Sequence, residues 1–267
     1  MVQGRDDAEE FLERLAVKLK EPHRDVVNHP AVDDMVAGKL SREQVKNLVA
    51  QQYLFTRTVP KLLCLRFSQV TDKEVPARLQ GVMDEELAGK QTGTDDHVKL
   101  HQRLAIGLGM TLEELENTPP NPETRAVVYW QELAIRSRPW FLAMGMKYGD
   151  EGQFAGACVR IAPALLKHYG VRPEDAVFFS AHIEADADHR DFFHTIIREY
   201  AGTPALRAEF EELTLTTAEL WWEMWYAAAY REPRKRYRAG VAPARVPAPA
   251  QQTGVAPARV PAPDYRS

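Results

Sequence analysis

Residues Phe178–His189 read FFSAHIEADADH, and in this stretch two histidines flank an aspartate with the spacing His182-x-x-x-Asp186-x-x-His189. Offsets of four and seven residues place the three side chains on one face of an α-helix. The same face is apolar before the motif and again after it, at Phe193. Burying an ionised aspartate there is costly unless something pairs with it. The motif therefore predicts a buried helix face that holds a cation, with a buried polar network as the alternative.

The rest of the chain, from about residue 5 to residue 230, has the periodicity of helices. Apolar residues recur at intervals of three and four, and no alternating pattern typical of a strand is convincing. Capping boxes at Ser41, Thr71 and Thr111 open three helices, and Pro60 should kink the first of them. Two long helices are expected at Pro122–Tyr148 and Asp150–Tyr169. The sequence predicts an all-α bundle of seven to nine helices.

Composition excludes several classes of function. The chain has 267 residues and a formal net charge of -4 with both signs interspersed, so neither nucleic acid nor a membrane surface is an expected partner. The N-terminus is acidic and resembles no signal peptide, and no apolar run has the length of a membrane span. Cys64 and Cys158 lack metal-ligand spacing and indicate a reducing, cytoplasmic setting.

The C-terminal segment has a different composition. The sequence GVAPARVPAP occurs at Gly240–Pro249 and again at Gly254–Pro263. Repeated proline cannot continue a helix or build a core, so residues 239–267 are expected to form a disordered tail after a helical domain of residues 1–238. A docking arm is the alternative role for this tail. The basic run Arg231–Arg238 is interpreted as a solvated helix end.

Further metal donors are sought among polar residues on apolar helix stripes. His97 shares a face with apolar residues three, seven and eleven positions later, although a lone histidine in such a place is usually a satisfied core residue. Glu86 lies on the apolar side of its helix, whereas Glu85 points more to the side. A charge at a helix end is the alternative interpretation of Glu86. Glu151 also lies on an apolar stripe. An acidic residue that favours a helix N-terminus is the alternative interpretation of Glu151, and Asp150 would then be the substitute donor.

The order of these residues resembles the heme-oxygenase-like dimetal oxidase family, which is related to the TenA and PqqC proteins. The resemblance spans roughly residues 20–230, and it includes NHPAV at Asn28–Val32 and GKLSREQ at Gly38–Gln44. It implies a heme-oxygenase-like fold and six metal ligands. These ligands are Glu86, His97, Glu151, His182, Asp186 and His189. Glu86 is preferred to Glu85, although the loop before His97 varies within the family.

The implied activity is that of a non-heme diiron oxidase or oxygenase in specialised metabolism. Carboxylate and imidazole donors without thiolate suit two Fe(II) ions, with Mn(II) as the alternative. The expected partners are O2 and an amino-acid-like small molecule, which would undergo desaturation, N-oxygenation, C–C cleavage or cyclisation. Arg66 is a candidate to bind the substrate carboxylate, and helix packing is the alternative role for it.

Other functions stay open at this point. A metal-independent PqqC-like oxidase, an oxidase acting on a fatty acid, and a non-enzymatic interaction protein that uses the tail are the alternatives. A homodimer is expected, although Trp221, Trp222 and Trp225 would suit a dimer surface as well as a core.

Overall fold

The computed structural model describes the backbone of residues 2–70 and 75–231, and the side chains of residues 7–70, 79–183 and 191–231. Within these ranges the protein is built from α-helices. Twelve α-helices occur in these ranges, and no strand does. They are α1 (Val2–Lys18), α2 (Pro30–Val36), α3 (Arg42–Thr56), α4 (Val59–Phe67), α5 (Val75–Ala88), α6 (His97–Gly107), α7 (Leu112–Glu116), α8 (Pro122–Ser137), α9 (Trp140–Gly145), α10 (Glu151–Tyr169), α11 (Val177–Tyr200) and α12 (Pro204–Tyr230).

The all-α prediction is confirmed. Nine of the described helices have nine or more residues, within the expected seven to nine. Of the three shorter ones, α7 begins at the predicted Thr111 capping box, whereas α2 and α9 were not predicted. None of the described helices is both long enough and apolar enough to cross a membrane. The capping box expected at Thr71 and most of the basic run after residue 231 lie outside the described residues, as does the segment 239–267. The division into a helical domain and a tail therefore stays a prediction.

Helix boundaries follow local capping and proline chemistry. Ser41 and Thr111 form the predicted capping boxes, in which each side chain accepts from a backbone N–H and Gln44 or Glu114 reaches back to the cap. Pro60 does not kink a continuous helix, because the chain breaks between α3 and α4 and the proline lies in the first turn of α4. A proline there loses no intrahelical hydrogen bond.

The long helix expected at Pro122–Tyr148 is divided. It forms α8, α9 and a 3-10 turn at Met146–Gly149, because Pro139 precedes α9 and cannot continue α8. The turn contacts α10, α11 and α12, so it is buried rather than a surface connection.

The core lies where α10, α11 and α12 meet the earlier helices. α10 packs along α11, α12 packs on α3 and α8, and α11 also contacts α5 and α6. Trp221, Trp222 and Trp225 are all buried in this core, so none of them provides an exposed surface for a dimer.

His29 connects the first helices to the last one. Its Nδ1 accepts from the backbone N–H of Ala31 at 3.0 Å, which caps α2, and its Nε2 donates to the carbonyl of Trp222 at 3.1 Å. Both bonds require a neutral ring, since a protonated imidazole cannot accept at Nδ1. Burial lowers the pKa of His29 from 6.5 to about 4.

This buried histidine predicts a loss of stability in mild acid. The unfolded chain takes up a proton near pH 6.5, whereas the folded chain does so only near pH 4, so the unfolded state binds more protons between these values. The free energy of unfolding should be maintained above pH 6.5 and fall by up to about 3 kcal/mol towards pH 4. Denaturant titrations across this range measure the change. His29→Asn, which retains a capping side chain without titrating, should flatten the slope, and equal slopes would contradict the assignment.

Candidate metal centre

Four helices bring the predicted ligand residues to one place. α5 carries Glu86 in its last turn, α6 begins with His97, α10 begins with Glu151, and α11 carries His182. Ligand atoms of Glu86, His97 and His182 all lie within 4.8 Å of one another, and the three residues are buried. Such a group of converging donors is the arrangement that a metal ion requires.

The two histidines are oriented by bonds on the far sides of their rings. His182 donates from Nδ1 to the carbonyl of Phe178 at 2.7 Å, so in the neutral ring Nε2 carries the lone pair. His97 donates from Nε2 to Oε1 of Glu85 at 3.3 Å, which leaves its lone pair on Nδ1. A metal-binding histidine usually donates its other ring N–H to a carbonyl or carboxylate in this way.

The environment of His97 fits a metal ion better than an organic partner. Its Nδ1 lies 3.0 Å from Oε2 of Glu86, yet no atom of the described residues forms a hydrogen bond with it. Burial alone would lower the pKa of His97, but Glu86 and Glu85 outweigh that effect and raise it to about 9. A metal ion bound here must therefore displace a proton from the ring.

Glu85 has a different role from that of its neighbour. It is fully buried, and its oxygens accept from the backbone N–H groups of Gln91 and Thr92 at 2.7 and 3.1 Å and from the Thr92 hydroxyl at 2.6 Å. Burial raises the pKa of Glu85, but these bonds and the one from His97 outweigh burial and lower it. Glu85 thus anchors the loop that leads to His97, and Glu86 is the carboxylate beside the histidine donors.

Gly89 makes this loop possible. Its φ of +58° ends α5 in the left-handed region, and a Cβ at this position would lie 2.5 Å from the backbone carbon of Thr94. This tight turn brings Thr92 within hydrogen-bond distance of Glu85 and positions the start of α6.

A small cavity of about 30 Å³ lies beside the donor group. Its polar lining includes Glu86, His182 and Glu151, so the structure brings together four of the six predicted ligands, His97 being in contact with Glu86. The other lining residues are Gln52, Phe55, Thr56, Val59, Phe154, Phe178 and Trp221. Asp186 and His189 belong to α11, but their side chains lie outside the described residues.

Arg66 is placed behind the cavity and not in its lining. Its guanidinium is buried and donates to Oε1 of Gln131 at 2.9 Å. Gln131 in turn donates to Asp150, which is paired with Lys147. The role of Arg66 in substrate binding stays a prediction.

Sequence reasoning missed Lys147 and Gln131. Nζ of Lys147 lies 2.6 Å from Oδ2 of Asp150 and 2.8 Å from Oε1 of Glu151. The signal was a lone lysine in the apolar stretch FLAMGMKYG, four residues before Glu151. Asp150, considered as a substitute ligand, is committed to Lys147, Gln131 and the N–H of Glu151.

The fold and the converging histidines and carboxylate define a helical metalloprotein of the heme-oxygenase-like architecture. A family described as iron-containing redox enzymes matches residues 46–222, more than half of the chain, and the chain belongs to this family. It is therefore an oxidoreductase with iron as its metal.

Named relatives and solved structures agree with this assignment. The 4-aminobenzoate synthase of Nitrosomonas europaea is 26% identical over 208 residues, which cover 75% of this chain and 84% of the relative. The 4-chloro-allylglycine synthase of Streptantibioticus cattleyicolor is 25% identical over 214 residues, 77% of either chain. A TenA homologue of Pseudomonas syringae has a TM-score of 0.70 at 16% identity, covering 82% of this chain and 92% of its own, and so supports the fold.

The geometry predicts that His182→Ala abolishes metal binding and leaves the bundle folded. The imidazole supplies a donor atom and packs against Phe154 and Phe178, so its removal should lower stability without unfolding a bundle whose core spans most of the described helices. Metal content after incubation with Fe(II) under anaerobic conditions and the far-ultraviolet circular dichroism spectrum measure the two effects. A folded variant with full iron loading would show that His182 is no ligand.

Glu85 and Glu86 form a matched pair for a second prediction. Glu86→Gln should abolish tight metal binding and leave the melting temperature of the metal-free protein almost unchanged. Glu85→Gln should lower that melting temperature, because a buried amide cannot replace both carboxylate acceptors, and should weaken metal binding by about 10- to 100-fold through His97. Metal titration and thermal denaturation with a chelator present separate the two roles. The reverse pattern would exchange the two assignments.

Proposed function

We propose that the protein is a non-heme diiron oxidase or oxygenase that uses O2 to oxidise a small, amino-acid-like molecule. The observation that carries this proposal is the buried group of Glu86, His97 and His182, whose donor atoms lie within 4.8 Å of one another beside a cavity. Buried imidazole and carboxylate donors that converge this closely have the character of a metal centre.

The donor set suits Fe(II), with Mn(II) as the alternative. It consists of carboxylate oxygens and imidazole nitrogens, and neither cysteine lines the cavity that the described residues form. In this proposal Glu86, His97 and His182 hold one ion. Glu151, Asp186 and His189 contribute to the second. When bound, Fe(II) would supply the electrons that make O2 reactive.

The lining residues provide the surroundings for that chemistry. Phe55, Phe154, Phe178 and Trp221 form an apolar wall next to the donors, which keeps bulk water from the reacting atoms and strengthens electrostatic interactions there. The cavity volume of about 30 Å³ holds one or two water molecules and is smaller than an amino acid, so substrate binding requires the lining side chains to move apart. A fatty acid would require a long apolar channel in addition.

The substrate class is supported by charge and by the names of the relatives. Two divalent ions carry four positive charges and three carboxylate ligands carry three negative ones, so the filled centre has a net charge near +1 and attracts a carboxylate. Both 4-aminobenzoate and 4-chloro-allylglycine carry an amino group and a carboxylate. We infer that the substrate of this protein has the same two groups, and that its oxidation is a desaturation, N-oxygenation, C–C cleavage or cyclisation.

Oxygen consumption tests the proposal directly. Protein loaded with Fe(II) under anaerobic conditions is mixed with O2 in the presence of amino acids, aromatic amino acids and fatty acids, while absorbance and dissolved O2 are recorded. An amino acid should accelerate O2 consumption at least tenfold over iron-loaded protein alone, because the cavity then places substrate beside the iron. Product analysis of the active mixture identifies the reaction.

Two controls separate the alternatives. His182→Ala should consume O2 no faster than free Fe(II), and chelator-treated wild type should be inactive. Activity that survives metal removal would favour a metal-independent oxidase, and acceleration by fatty acids alone would overturn the substrate class.

A further inference from the structure

A second cluster of buried charges lies behind Glu151. Side chains of Lys147 and Asp150 are almost fully buried, at 4% and 0% exposure, and Glu151 is exposed by 19%. Nζ of Lys147 contacts both carboxylates and also lies 5.5 Å from the ring centroid of Phe55, which lines the cavity. The ammonium group is therefore next to the carboxylate that reaches the cavity.

Lys147 is held firmly in this position. It belongs to the 3-10 turn Met146–Gly149, and the turn is pressed against α12 so closely that a Cβ on Gly149 would lie 2.2 Å from the carbonyl oxygen of Thr214. Asp150 fixes the other end of the contact, because it accepts from Gln131 at 2.7 Å and from the N–H of Glu151 at 2.8 Å. Neither partner of the pair has room to rotate into solvent.

The described residues of this cluster include two cations and two carboxylates. Lys147 and Arg66 carry two positive charges, and Asp150 and Glu151 carry two negative ones. The Glu86 side of the cavity differs, since there one histidine stands between two carboxylates. A divalent ion at Glu151 meets a carboxylate that already contacts the ammonium group of Lys147.

We propose that Lys147 competes with the second metal ion for Glu151. The ammonium group of Lys147 holds the carboxylate that this ion would use. The inference rests on the proposed two-ion function and adds to it an order of loading. The first ion binds at Glu86, His97 and His182, and the second binds more weakly because it must share Glu151 with a fixed positive charge. Lys147 thus acts as a positioning residue through Glu151 and sets the affinity of one metal position selectively.

Stepwise titration of the full-length, metal-free protein with Co(II) tests this inference without any turnover. Calorimetry gives the two dissociation constants, and the visible absorbance of Co(II) reports the coordination at each step. Lys147→Met should tighten the second step by roughly tenfold or more, because a neighbouring ammonium repels a dication by at least that factor even at an effective dielectric constant of about 20. The first step should change by less than about threefold, since its ligands lie across the cavity.

Matched variants keep the result interpretable. Lys147→Arg retains the charge and should resemble wild type. The double variant Lys147→Met with Asp150→Asn removes both members of the ion pair, so it avoids an unpaired buried carboxylate. Its second step should lie between those of wild type and Lys147→Met, because the competitor and one attracting charge are lost together. An unaltered first step in each variant shows that the fold is intact.

The contrary outcomes are distinct. An unchanged or weakened second step in both methionine variants would overturn the inference and assign Lys147 a purely orienting role, while two bound ions in wild type would leave the proposed function standing. A single Co(II) ion per chain in wild type and in both methionine variants would contradict the proposed function and this inference together. One ion in wild type and two in Lys147→Met would be the strongest form of the expected result.

Discussion

The contact of His97 with two buried carboxylates is the interaction on which the centre depends. Nε2 of His97 faces Glu85 at 3.3 Å and Nδ1 faces Glu86 at 3.0 Å, all within the core. Two anions cannot be buried together without compensation, since the desolvation of each costs several kcal/mol. The imidazole supplies that compensation as a cation when metal is absent and as a ligand when metal is bound. The same three side chains can therefore remain buried in both states.

The surrounding fold maintains this contact through short-range structure. Gly89 turns the chain at the end of α5, the N–H groups of Gln91 and Thr92 satisfy Glu85, and Asp96 caps α6 directly before His97. The carboxylate of Glu85 accepts hydrogen bonds from the loop, whereas that of Glu86 lines the cavity. Adjacent residues with the same side chain thus have opposite functions, because helix geometry directs them about 100° apart.

Much of the fold could be predicted from the sequence because its determinants are local. The capping boxes at Ser41 and Thr111 depend on residues within one helical turn, and each is found where the pattern indicated. The break between Ser137 and Trp140 was missed, because apolar periodicity continues across it and outweighed the signal of Pro139.

The candidate site was predictable to a lesser extent. His182, His97 and Glu86 could be found as polar residues on apolar stripes, and the family resemblance then supported the choice of Glu86 as a ligand. The choice between Glu85 and Glu86 depends on a loop conformation that no helical pattern specifies. Arg66, Gln131 and Asp150 come from three separate helices or helix ends, so their mutual hydrogen bonds depend on tertiary packing and not on spacing.

The two sides of the cavity solve the problem of buried charge in different ways. Around His97 one imidazole lies between two carboxylates, whereas around Glu151 the protein supplies cations in Lys147 and Arg66. A centre with two equally deficient sides would bind metal more tightly, but the metal-free chain would then bury several unpaired carboxylates and fold poorly. Pairing Glu151 within the protein lets the bundle fold before any metal arrives. In the proposed two-ion centre, the consequence is an unequal affinity of the two metal positions, which follows from the requirement for a stable metal-free state.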